Sequence, residues 1–176
     1  PPTHAGGTRR RPAPGGRVVK RIPFVRVAAL YAATVGCVWL TANRGETQNP
    51  SLEPTYGWVK LRSGFISDPF AVEVDSGGEI KTNLGGVTTF VDNAPDFRVK
   101  YKAGALPLIF KVKCTADTTL LINTPDGKWV ADDDSDGGVN PRVVIRNPKS
   151  GTYDIWVGSY KGTVDPATLI VTEIAR

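Results

Sequence analysis

The densest chemistry in the chain is a run of acids, Asp132-Asp133-Asp134-Ser135-Asp136-Gly137-Gly138, followed by Asn140. Asp132, Asp134 and Asp136 stand at alternate positions, and Gly137 allows the sharp turn that lets a short loop gather hard oxygens around a cation. Ca²⁺ is the natural candidate, with Asp132, Asp134, Asp136 and Asn140 as ligands. The helix-flanked version of such a loop needs a bidentate glutamate six residues past the glycine. Position 143 is Val, so an EF-hand is excluded. A second reading needs no metal: the loop is a solvated turn whose aspartates cap backbone amides.

Other chemistry is thin. The one histidine, His4, sits in a Pro/Gly/Arg-rich stretch, so Ser-His-Asp, Cys-His and histidine-rich metal sites cannot be assembled further along the chain. Cys37 and Cys114 fall in segments of different character and are not expected to pair. Cys114 follows an alternating apolar pattern and reads as a small buried hydrophobe. No G-x-S-x-G, P-loop or G-x-G-x-x-G occurs. Hydrolysis by paired carboxylates needs acids across a cleft, whereas the acids here crowd one loop. A non-enzyme is expected. Aromatic residues are numerous for a small β domain. Trp156 reads as core, between Ile155 and Val157, while Trp58, Trp129 and Tyr160 are candidates for an exposed interface.

The elements that must position these residues are strands. From residue 57 onward the chain alternates short segments rich in Val, Ile, Thr and aromatics (WVKLRSGF, FAVEV, FRVKYK, LPLIFKVKC, TTLLIN, RVVIRN, TYDIWVGSY, ATLIVTEI) with breakers such as DSGGE, DNAPD, NTPDGK and KGTVDP. Nine to eleven strands without helical periodicity predict an all-β domain, an antiparallel β-sandwich of jelly-roll type, over residues 57–176. Leu120 with Ile122, Val143 with Ile145, Tyr153 with Ile155 and Val157, and Leu169 with Val171 are spaced by two, as a buried strand face requires.

Ahead of it the composition changes. Residues 1–21 are a basic Pro/Gly-rich arm that cannot bury enough apolar surface to fold alone. Eight of the 22 basic residues precede Glu46, the first acid. The remaining 14 face 17 acids, so the strand-rich part is mildly acidic and nucleic acid is not an expected partner. Residues 27–43 are 17 consecutive uncharged residues, and at about 1.5 Å per residue they reach roughly 26 Å, just enough for a bilayer core. A cleaved signal ending near Leu40-Thr41-Ala42, a lipoprotein acylated at Cys37, and an uncleaved anchor all fit the pattern. The anchor is adopted: a transmembrane helix over residues 22–43, a linker over 44–56, and the β domain beyond. Basic residues on the N-terminal flank place the arm in the cytoplasm and the domain in the periplasm of a bacterial inner membrane. Ala28, Ala32 and Gly36 recur every four residues, a stripe suited to close packing against another helix in lipid.

The stretch from Thr119 to Tyr160, with its SGTYDIWVGSY strand after the acidic loop, resembles β-sandwich modules related to bacterial pre-peptidase C-terminal domains. The segment from Asn49 to Ile80 is similar to the start of secreted proteins of that group. The resemblance implies an extracytoplasmic binding or accessory module. Taken together, these readings predict an accessory, stabilising subunit of a larger membrane complex, in contact with other membrane subunits and the bilayer. A photosynthetic reaction-centre and light-harvesting assembly is one complex of this kind. The alternatives are a Ca²⁺-dependent carbohydrate- or envelope-binding module and a protease-associated domain.

Overall fold

The computed structural model describes residues 48–175. The arm, the apolar run and its stripe of Ala28, Ala32 and Gly36 lie outside the described residues. Among the described residues no helix is long and apolar enough to cross a membrane.

The described chain is all-β, in two sheets. Its strands are β1 (Trp58–Arg62), β2 (Phe70–Ser76), β3 (Ile80–Thr82), β4 (Thr89–Val91), β5 (Phe97–Lys102), β6 (Leu108–Lys113), β7 (Thr118–Asn123), β8 (Trp129–Asp132), β9 (Arg142–Ile145), β10 (Gly151–Ser159) and β11 (Asp165–Thr172), with one 3-10 turn at Leu84–Gly86. One sheet runs β2-β11-β6-β9. The other is built around the long strand β10, which carries β5 and then β1 on its first half, β4 and β3 at its end, and β7 with β8 along its opposite side.

The expected core faces are where period two puts them. Leu120, Ile122, Val143, Tyr153, Ile155, Val157, Leu169 and Val171 are buried together between the sheets, with Ile145 packed against them. Strand β10 is buried on both faces, because Leu84, Trp129 and Ala131 pack on its outer side. Trp156 therefore fills a second, smaller cluster with Val91 and Leu121 rather than the inter-sheet core. Gly158 is required nearby: a Cβ there would meet the hydroxyls of Thr89 and Thr119, which are hydrogen-bonded to each other.

One expectation fails. The sandwich is not wholly antiparallel, since β1 pairs with β5 in parallel, Trp58 beside Arg98 through to Arg62 beside Lys102. Between β1 and β5 the chain makes β2 in the other sheet and then β3 and β4, so it returns to the β1 edge running in the same direction; parallel pairing needs a crossover of this sort. The described part of the linker lies on the domain. Asn49 N–H donates to Asn93, Thr55 to Pro95 and Tyr56 to Asp96, while the Arg98 guanidinium donates to the carbonyls of Pro50 and Leu52.

Candidate functional site

The acidic loop joins β8 to β9. Asp132 closes the end of β8: its Oδ2 accepts the N–H of Ser135 (2.9 Å) and of Arg142 (2.8 Å), and its Oδ1 accepts the Ser135 hydroxyl (2.5 Å). Asp136 faces the neighbouring strand, 2.7 Å from Lys111 Nζ and 4.0 Å from Arg142 Nε. Asn140 Oδ1 accepts the Cys114 N–H at 3.0 Å, which fastens the loop to the end of β6. Asp134 is exposed; local loss of hydration and the carboxylates of Asp133, Asp117 and Asp132 raise its pKa. The four residues share one loop but have separate partners, and among the described residues no group of three or more His, Cys, Asp or Glu is arranged to hold a metal ion. Cys114 is half-buried just past β6, its Sγ accepting the Ala116 N–H.

A different constellation forms at the β1 edge. Residues 63–69 connect β1 to β2, from the edge of one sheet to the edge of the other, and both ends of this loop are pinned by the residues that close β11. Glu173, itself buried, accepts the Gly64 N–H (2.7 Å) and the Tyr101 hydroxyl (2.5 Å). Burial, and then this hydrogen bond, pushes the Tyr101 phenol up to about 12. At the other end Asp68 accepts the Thr172 hydroxyl (2.5 Å) and the Glu173 N–H (3.0 Å). Gly64, at φ +77°, supplies the left-handed turn that starts the loop. Held in this way, the loop presents Ile66 100% exposed.

Below Ile66 lies a groove of about 480 Å³. Leu61, Phe65 and Phe70 give it an apolar floor, and Lys60, Arg62 and Lys102 give it a basic rim. Among the described residues none of these three cations pairs with a carboxylate. Trp58, 56% exposed, begins the same strand, and the Lys100 ammonium sits 4.2 Å from its ring centroid. Trp58 was singled out by the sequence. Ile66 was not, although an isoleucine amid Ser, Gly, Asp and Pro in GFISDP was a readable signal.

The structure also corrects the view that acids crowd only one loop. Asp75, Glu79, Asp92 and Asp96 line a cleft of about 360 Å³ together with Tyr56, whose hydroxyl bonds Asp75 at 3.0 Å. Asp96 has a structural task here. Strand β10 pairs with β5 up to Ile155 and with β4 at Ser159, which leaves a gap in the ladder. Asp96 Oδ2 accepts the Val157 N–H across that gap at 2.7 Å, and Gly77 N–H donates to Val157 O. Burial pushes this carboxyl up to about 8; the Val157 bond and the nearby Asp92 and Asp75 act less strongly. In the sequence Asp96 read only as part of the DNAPD breaker.

Of the other aromatic candidates, Trp129 is half-buried against Trp156, ring centroids 5.2 Å apart, and so covers the small outer cluster. Tyr160 is 52% exposed just past β10.

No protein-family model matches the chain, and no curated protein matches it. Among solved structures the chain is similar to PliG of Aeromonas hydrophila, a periplasmic inhibitor of g-type lysozyme. The identity is 14%, over 65% of this chain and 96% of that one, with a TM-score of 0.34.

Proposed function

We propose that this chain is a non-catalytic accessory subunit, anchored in a membrane by the apolar run, whose β domain docks on a partner protein through the β1 edge and the loop that follows it. The observation that carries this reading is the pinned loop. Two buried or half-buried carboxylates hold it at both ends, yet its tip is a fully exposed isoleucine. A loop fixed in advance loses little conformational freedom on binding, and an apolar tip rimmed by cations that pair with no carboxylate among the described residues suits an interface core with a polar surround. The anchor and the side of the membrane rest on the uncharged run and its basic flank.

Crosslinking from defined positions tests it. A photoreactive benzophenone side chain is placed at position 66 of the full chain in its native membranes and, separately, at Val144, an exposed residue on the β9 edge. Position 66 should give a discrete heterologous crosslink and position 144 should not. Equal yields from both, or none from 66, would overturn the assignment.

A further inference from the structure

We infer that the partner contributes an extended, acidic segment that adds to β1 as a further strand and seats its alternate apolar side chains in the groove; this rests on the docking reading above. The argument starts from hydrogen-bond phase. Arg98 N–H donates to Gly57 O, and Ser63 N–H donates to Lys102 O. In a parallel ladder the residues of one strand alternate between facing the partner strand and facing away. The odd residues of β1 therefore turn their backbone toward β5. Trp58, Lys60 and Arg62 turn their N–H and C=O groups to the other side, where among the described residues the sheet has no further strand. Among the described residues these three donors and three acceptors form an unmatched row, which is the requirement for strand addition.

Natural edges are blunted, and lysine on an edge is one device for it. Lys60 and Arg62 serve that purpose against indiscriminate pairing, but blunting does not account for a groove with an apolar floor or for a tip held out in water. Charge then selects the occupant. A second copy of this chain paired antiparallel about Lys60 would set Lys60 against Lys60, and like charges directly opposite are destabilising. The chain's own arm carries Arg9, Arg10, Arg11, Arg17 and Lys20 and is repelled by the same rim. A partner segment alternating acidic and apolar residues satisfies both features: its carboxylates meet the basic rim, and its apolar side chains meet Leu61, Phe65 and Phe70.

The test uses the full chain in mild detergent and an end-capped heptapeptide alternating glutamate and valine. Binding should shift the Lys60 and Arg62 amide resonances and slow their hydrogen exchange. A peptide of the same sequence with N-methyl groups on its alternate, β1-facing amides should bind about tenfold more weakly or not at all. A lysine–valine peptide should not bind, and Lys60→Glu with Arg62→Glu should reverse the preference between the two peptides. Retained affinity of the N-methylated peptide, unprotected Lys60 and Arg62 amides, or no binding of the acidic peptide would each overturn strand addition. If position 66 still crosslinks while any of these holds, the docking reading stands without it. If the crosslink is lost as well, both fall.

Discussion

The acidic loop between β8 and β9 and the basic edge at β1 differ in what their charges do. On the loop, Asp132 caps two backbone amides, Asp136 meets Lys111, and Asn140 ties down Cys114. Buried Asp96 belongs with them, since it stands in for a missing strand beside Val157. On the β1 edge, Lys60, Arg62 and Lys102 have no carboxylate partner among the described residues, and Ile66 is fully exposed. Chemistry that is dense in sequence is consumed inside the fold, while the surface free to act on another molecule is made of ordinary residues in an unusual place. A polar group with internal partners is costly to remove and has little left to offer a ligand. A group without them is cheap to remove and available.

That contrast can be broken in three ways. The largest expected effect is at Asp96. Its carboxyl stays neutral in the folded chain up to about pH 8, whereas in the unfolded chain it ionises above about pH 4. Between those values the native state holds the extra proton, so stability falls as pH rises through the window and levels off above it. Asp96→Asn keeps an oxygen acceptor for the Val157 N–H and removes the titration. At pH 8.5 it should be more stable than the wild type, on the order of 3 kcal/mol, and at pH 4 about equal to it. Thermal melts across that range decide; parallel curves for the two proteins would remove the buried titration.

A smaller loss is expected at the loop. Asp132→Ala leaves the amides of Ser135 and Arg142 without their acceptor, which should cost about 1–2 kcal/mol and lower Tm by roughly 4–8 °C. Docking through position 66 should be unchanged. Because the oxygens of Asp132 and Asp136 already have partners, Ca²⁺ or chelator should move the wild-type Tm by less than about 1 °C. A rise of several degrees with Ca²⁺ that Asp134→Asn abolishes would instead make the loop a cation site and dissolve the contrast.

The smallest effect on stability should come from the edge. Lys60→Gln with Arg62→Gln removes exposed, unpaired charges, so unfolding should change by no more than about 0.5 kcal/mol. The crosslink from position 66 should weaken all the same. A denaturant titration beside the crosslinking assay separates the two, and a large stability loss would mean that these cations are internal after all.

Residue order by itself determined the strands. Alternation at Leu120 and Ile122, at Tyr153, Ile155 and Val157, and at Leu169 and Val171 encodes a buried face within a few neighbouring positions, so the all-β class and much of the core could be read directly. The acidic loop was legible for the same reason, being local in type and spacing, whereas the aromatics were sorted only by the fold: Trp58 and Tyr160 are exposed, but Trp129 is half-buried against Trp156. Lateral order was decided only in three dimensions: β1 beside β5 in parallel, β10 buried on both faces, and Trp156 turned to the outer cluster. So was the candidate site. Gly64 meets Glu173 across 109 positions and Thr172 meets Asp68 across 104. No pattern within one segment reports such a bond, because the partner is brought there by the packing of the two sheets and not by the residues beside it. What leaves Ile66 in water and Lys60 at an open edge is thus the place of β1 at the end of its sheet, a property of the assembled sandwich that WVKLR does not contain.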